Sequence, residues 1–318
     1  MLYTHSTEKL VGLQDLIIKK VETNETETHI YGLLERKPHK CPCCGAETVK
    51  IHDYREQVIK DIPLYGKHAF IHLKKRRYRC DCGKRFYEVC TTIESIMEGT
   101  VKPNGIVLWR DETDHRPLPL TLQRQVERGL QVLGTRDLRS YTKLLPTLKM
   151  FPDAHIVTID DDIFYPHDFL ENLMATYAKK PHSIVGNMVM QMSYDSNGIP
   201  TGILQWPYLH EEPADGASHD LFFEGFGGVL YPAGSLPEEV FHKEVFQDIC
   251  PTADDVWFNA MARISKTPIT FCEHGYYDYL KADNHVCQDT ALNLINNSEN
   301  RNDKQLRAVW QHYHLQGQ

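Results

Sequence analysis

Hydrophobic positions along this chain fall first into alternating and then into helical spacing. Val58-Ile59-Lys60-Asp61-Ile62 and Ala69-Phe70-Ile71-His72-Leu73 read as two strands joined by a turn at Tyr65-Gly66-Lys67. Residues 105–109 predict a further strand. Over 140–150, Tyr141, Leu144, Leu145 and Leu148 recur at helical spacing. Over 168–179, Phe169, Leu170, Leu173 and Tyr177 do the same, with Asp168 placed to cap the helix. Between these helices Ile156-Val157-Thr158-Ile159 is an apolar, β-branched run that predicts a buried strand, and 183–186 predicts another. Phe222-Phe223-Glu224-Gly225-Phe226-Gly227-Gly228-Val229-Leu230-Tyr231-Pro232 is strand-like, with glycines that mark close backbone approach or a bulge. A helix with Trp257, Met261 and Ile264 among its apolar positions starts after Cys250-Pro251. These stripes are assigned to core. Their alternation predicts an α/β sandwich with a largely parallel sheet, behind a small β-rich front.

Charge separates the same two parts. The 318 residues are 41% hydrophobic and 25% charged, with a net charge of −8, ordinary for a globular protein. Residues 1–88 hold 17 Lys and Arg against 12 Asp and Glu, a net +5, which leaves −13 for the remainder. A basic front suits phosphate backbones and an acidic back suits divalent metal. The chain opens without a basic stretch and apolar core of the secretory kind, and no run of ~18 apolar residues exists to span a membrane. The expected location is cytoplasmic, extending to the inner face of the membrane.

Of nine cysteines, five lie within 41–82. In a reduced compartment such pairs mean metal more often than disulfide. Cys41 and Cys44 have the usual zinc spacing, and Cys80 and Cys82 a tighter one, each pair followed by glycine. Four thiolates complete a tetrahedral structural Zn²⁺ site, with Cys43 spare. The alternative is free cysteines in a small β domain. Lys74-Lys75-Arg76-Arg77-Tyr78-Arg79 runs into the second pair and reads either as a solvated face or as a weak DNA-backbone contact. Residues 9–88, through Cys-Pro-Cys-Cys-Gly, Ile62-Pro63-Leu64, Arg76-Arg77-Tyr78-Arg79-Cys80 and Cys82-Gly83-Lys84-Arg85-Phe86, resemble the N-terminal zinc-binding domain of ISL-three-type insertion-sequence transposases. The helix-turn-helix and acidic catalytic domain of that family have no counterpart after Glu88, so strand transfer is not expected.

The back part carries its own chemistry. The strand at 156–159 ends in Asp160-Asp161-Asp162, placing carboxylates at the edge where open α/β sheets bind ligands. Adjacent aspartates repel one another and call for a cation, Mg²⁺ or Mn²⁺, able to bridge a diphosphate; the alternative is a polar turn before the next helix. Asp254 and Asp255 by themselves are ordinary acids of a helix N-terminus.

Together with Thr92-Ile93-Glu94-Ser95-Ile96, Val101-Lys102-Pro103, Asp137-Leu138-Arg139-Ser140-Tyr141-Thr142-Lys143-Leu144-Leu145-Pro146 and Asn302-Asp303-Lys304-Gln305, these stretches resemble bacterial polysaccharide glycosyltransferases of the GT-A fold. The resemblance covers almost all of 92–318. It implies a metal-dependent, hexosyltransferase-type enzyme taking a nucleotide-sugar donor to a surface glycan or lipid-linked acceptor. It also implies metal at Asp160 and Asp162, donor contacts at Asp137, Lys143, Asp160 and Asp161, and Asp255 as general base with Asp254 beside it. His274 is a weaker metal candidate. Relatives begin with a strand that this chain lacks before its helix at 92–98. Phe86-Tyr87-Glu88-Val89 is the candidate surrogate. The rival expectations are a DNA-binding transposase remnant with a passenger domain and a non-functional junction product.

Overall fold

The computed structural model describes residues 16–40, 46–64, 67–81, 85–86, 89–118, 120–161, 163, 165–211, 213, 216–272 and 300–316. The first elements are β1 (Leu16–Thr23), β2 (Glu27–Leu34), β3 (His39–Lys40), β4 (Glu47–Thr48), β5 (Ile51–Leu64), β6 (Lys67–Arg79) and β7 (Arg85–Phe86). Asn24 closes the β1–β2 hairpin: its Oδ1 accepts from the amides of Thr26 at 2.9 Å and Glu27 at 2.7 Å. Strands β1, β2, β6 and β5 lie side by side, with β2 parallel to β6 and β7 added to β6. Ile30, Ile71, Leu73 and Tyr78 are buried among them.

The two expected strands of this region are pieces of one long β5–β6 hairpin, and β6 incorporates the basic run. Arg76 and Arg77 are buried, and Arg76 Nη1 donates to the Leu34 carbonyl at 2.6 Å. Two of the five basic residues of the expected phosphate-facing run are therefore buried in the sheet; Lys74 and Arg79 remain exposed.

Neither described residue of the candidate surrogate strand joins the back sheet; Tyr87 and Glu88 lie outside the described residues. Phe86 pairs with Tyr78 and Arg85 with Arg79, inside the front sheet, and Val89 opens a helix. The elements that follow are α1 (Val89–Met97), β8 (Ile106–Asp111), α2 (Leu120–Glu127), β9 (Leu130–Thr135), α3 (Leu145–Met150), β10 (Ile156–Thr158), α4 (Phe169–Lys179), β11 (Ile184–Gly186), β12 (Val189–Gln191), β13 (Leu221–Phe223), β14 (Val229–Tyr231), α5 (Lys243–Ile249), α6 (Asp254–Ile264), β15 (Ile269–Phe271) and α7 (Arg301–His312). The helix expected over 140–150 is broken. A 3-10 turn spans Arg139–Lys143 and α3 restarts after Leu144, because Pro146 near the start of α3 has no N–H to continue an earlier helix. Asp168 precedes α4 without a side-chain capping bond.

The main sheet has the order β10-β14-β11-β15. Strand β14 runs antiparallel to β10 and β11, and only β11–β15 is a parallel pair. The expected largely parallel sheet is thus mixed. The reversal follows the glycine run: Gly228 has φ +88°, and a Cβ there would lie 2.5 Å from the Phe169 ring. Strands β8 and β9 form a separate parallel pair joined through α2. Their apolar cluster, Ile93, Leu122 and Leu130, is distinct from the larger core built on Tyr141, Tyr231, Phe246, Trp257, Phe258 and Trp310.

Candidate active site

A cavity of about 1350 Å³ opens between these parts. Asp160 lies two residues beyond β10. Its amide donates to the Tyr165 hydroxyl at 3.0 Å, and that hydroxyl donates to the Phe226 carbonyl at 2.9 Å. Lys143 arrives from the end of the 3-10 turn. Its Nζ is 3.1 Å from Asp160 Oδ1 and 3.3 Å from Asp254 Oδ2. Asp254 and Asp255 occupy the first turn of α6, where the helix dipole favours carboxylates. Asn259, one turn on, fixes that helix to β13: it accepts from the Phe223 amide at 3.1 Å and donates to the Phe223 carbonyl at 3.0 Å.

The electrostatics follow from this packing. Burial alone would lower the Lys143 ammonium, but Asp160, Asp254 and Asp255 outweigh it and hold its pKa well above the usual value. Burial, reinforced by the charge of Asp254, pushes Asp255 up to about 8 against the opposing effects of Lys143 and the Gly225 amide. Gly225 is sterically required. A Cβ there would sit 2.6 Å from Asp255 Oδ1 and 2.7 Å from Lys143 Nζ.

Glu224, which the sequence reading passed over, also lines the cavity. Burial raises its pKa, opposed by the Tyr208 hydroxyl donating to Oε2 at 2.6 Å. Nothing in the spacing of the glycine run marks an acid as functional; only its position immediately before Gly225 hints at it.

The fold thus brings Lys143, Asp160, Asp161, Asp254 and Asp255 to one cavity. Asp161 is exposed and its carbonyl accepts from the Thr92 hydroxyl at 3.0 Å. Asp137 does not line the cavity; its Oδ1 accepts from the Arg139 amide at 2.6 Å in a local turn. Asp162 and His274 lie outside the described residues.

Asp255 Oδ1 is buried without a hydrogen-bond partner, and Asp254 Oδ2 is buried with the Lys143 ammonium 3.3 Å away; carboxylate oxygens are a donor type that suits Mg²⁺ or Mn²⁺. The Lys143 ammonium, however, already stands between Asp160 and Asp254. Among the described residues no group of three or more His, Cys, Asp or Glu is arranged to hold a metal ion.

For the zinc ligands, Cys80 is buried, while Cys41, Cys44 and Cys82 lie outside the described residues. The flanks of the two cysteine pairs are nevertheless tied together. Thr48 Oγ1 donates to the Arg79 carbonyl at 2.8 Å, the Arg79 amide donates to the Lys50 carbonyl at 2.9 Å, and Lys50 Nζ pairs with Asp81 at 2.5 Å. This brings the chain just after Cys44 beside Cys80.

Residues 37–82 match the zinc-finger of transposase IS204/IS1001/IS1096/IS1165. The match covers about one-seventh of the chain and suits a structural zinc held by the cysteine pairs. No curated protein and no solved structure matches the chain. Among the described residues no helix is long and apolar enough to cross a membrane.

Proposed function

We propose that residues 89–318 form a GT-A-like glycosyltransferase unit and residues 1–88 a transposase-type zinc module. The supporting observation is the convergence on one cavity of Lys143, Asp160, Asp254 and Asp255, which come from three separate stretches of sequence. In this reading a nucleotide-sugar binds with its diphosphate near Lys143. The acceptor hydroxyl of a glycan or lipid-linked sugar attacks the anomeric carbon, and Asp255 takes its proton. The nucleoside diphosphate leaves, its developing charge met by the Lys143 ammonium. A divalent cation on Asp160 and Asp162 would supply further positive charge to that leaving group. Asp255 is held near pKa 8, so transfer rises with pH through that value as the carboxylate forms. Calorimetry with nucleoside diphosphates, with and without Mn²⁺, followed by a transfer assay, tests the reading. Asp255→Asn keeps donor binding and loses transfer; donor binding that is unchanged in Lys143→Met removes the assignment.

The second reading is a DNA-binding transposase remnant carrying a passenger domain. The zinc-finger match favours it, and the comparisons support it more directly than the first. Exposed Lys74 and Arg79 leave few phosphate contacts, so binding is weak, sequence-tolerant and lost between low and moderate salt. Fluorescence anisotropy with duplex DNA measures this, and no binding at low salt eliminates it.

A further inference from the structure

The front sheet carries a histidine pair that neither the cysteine set nor the cavity uses. Along β2, Thr28, Ile30 and Gly32 are buried, and Glu27, His29 and Tyr31 alternate with them on the opposite, half-buried face. Along β6, Ile71 and Leu73 are buried, and Phe70 and His72 alternate with them. The parallel register sets His29 opposite Phe70 and Tyr31 opposite His72. The rings stack in those pairs, with centroids 4.9 Å apart for His29 and Phe70 and 4.2 Å apart for Tyr31 and His72. The two histidines therefore meet on the diagonal between strands, with His29 Nδ1 2.9 Å from His72 Nε2. The His29 side chain is 28% exposed, so solutes reach the pair.

The other nitrogen of His29 is held as well. Nε2 lies 3.2 Å from Glu27 Oε2, two residues back on the same strand. A neutral imidazole has one N–H and one lone pair. Donating Nε2–H to Glu27 leaves the His29 lone pair on Nδ1, the atom beside His72. A carboxylate on the far nitrogen is the partner that orients a metal-ligating histidine and raises its basicity. A second carboxylate, Glu22, stands opposite His29 on β1, where it pairs with Lys20.

We infer that His29 Nδ1 and His72 Nε2 bind one divalent transition-metal ion of the Ni²⁺ or Cu²⁺ type, with Glu27 orienting His29 from outside. Imidazole suits these ions. Two nitrogens each about 2.05 Å from one ion stand about 2.9 Å apart at a right angle and about 3.3 Å apart in a tetrahedron. The separation in the structure, 2.9 Å, fits the right angle of a tetragonal ion rather than tetrahedral Zn²⁺. The ion takes the place of the proton shared by the two nitrogens, and His72 carries its proton on Nδ1 instead. Among the described residues no group of three or more such ligands is arranged to hold a metal ion, so the remaining positions fall to water. The bound ion ties β2 to β6 between residues 43 positions apart in sequence. It does so with nitrogen ligands, chemically distinct from the thiolates of the cysteine pairs.

The test uses the full, untagged chain with Ni²⁺ as the probe. His29→Phe and His72→Phe each remove a ligand but keep a ring to stack on Phe70 or Tyr31. Calorimetry should show a saturable Ni²⁺ site that each of these variants weakens at least about tenfold, and that Glu27→Gln weakens about tenfold. Hydrogen exchange locates the ion in the parent chain alone, so a variant that folds poorly does not block the decision. With Ni²⁺ at about ten times its dissociation constant, mass action should raise amide protection in β2 and β6 about tenfold and leave α6 unchanged. No saturable binding at millimolar Ni²⁺, an affinity unchanged in either histidine variant, or protection confined to amides outside β2 and β6 overturns the inference. Neither readout involves sugar transfer or DNA, so failure of either functional reading leaves the inference intact.

Discussion

Replacing Lys143 by methionine removes one ammonium from among three carboxylates. The Nζ lies 3.1 Å from Asp160 and 3.3 Å from Asp254, separations at which each pair is worth roughly 5 kcal/mol gross at an effective dielectric of about 20. Most of that offsets desolvation, and breaking a buried pair typically costs about 3–5 kcal/mol. The Lys143 side chain is 23% exposed and that of Asp160 33%, so the lower end, about 3 kcal/mol, is the expected loss near neutral pH.

The loss depends on pH in a fixed direction. Without the ammonium, Asp255 is harder to ionise, and it already stands near 8 with Lys143 present. A carboxyl whose folded pKa is raised contributes stability below its unfolded value of about 4 and loses it as pH rises through the folded value. Both proteins keep Asp255 protonated below about pH 8, so the deficit of Lys143→Met is level up to there and widens above it, where the parent's Asp255 ionises and the variant's does not. The elevated pKa of Lys143 itself acts only above its ordinary value of 10.5, outside this range. Urea unfolding of both proteins at pH 7 and 9.5, followed by tryptophan fluorescence to which buried Trp257 and Trp310 contribute, measures it. A deficit below about 1 kcal/mol at pH 9.5, or one equal at the two pH values, refutes the reasoning.

Gly225→Ala drives a methyl group into Asp255 and Lys143; calorimetry should show donor binding lost, and urea unfolding a stability cost of about 1–3 kcal/mol. Glu224→Gln keeps the shape and the Tyr208 contact but removes a carboxyl that burial raises. Its melting temperature relative to the parent should climb as pH rises above the ordinary carboxylate range, and a flat difference contradicts the assignment. Zinc, measured by elemental analysis, should be near one equivalent in the parent chain and lost in Cys41→Ser/Cys80→Ser; retention excludes the cysteine site.

Elements whose residues speak locally were legible in the sequence. The β-branched run before Asp160 is β10, and Phe169, Leu173 and Tyr177 mark α4. What escaped depends on distant partners. Arg76 and Arg77 read as surface because basic residues usually are, whereas the Leu34 carbonyl on β2 draws Arg76 inward. The helix expected over 140–150 kept its apolar spacing through Pro146, so periodicity concealed the break at Leu144. Glu224 drew no attention because a single acid among glycines and aromatics has no period; its chemistry comes from burial and from Tyr208, sixteen positions earlier. Of the stretch expected to supply a substitute strand, Phe86 pairs instead with Tyr78 on β6, a partner the local sequence does not announce.

The Tyr165 hydroxyl has a mechanical consequence. One oxygen atom accepts from the Asp160 amide and donates to the Phe226 carbonyl, joining the loop after β10 to the turn that carries Glu224 and Gly225. Asn259 holds that turn's strand to the helix bearing Asp255. A displacement of Asp160 is transmitted through this chain of bonds to Gly225, whose bare Cα sets the spacing of Asp255 and Lys143. Groups linked in this way lose their relative freedom when the chain folds rather than when a ligand arrives, so the ordering entropy of the site is spent before binding begins.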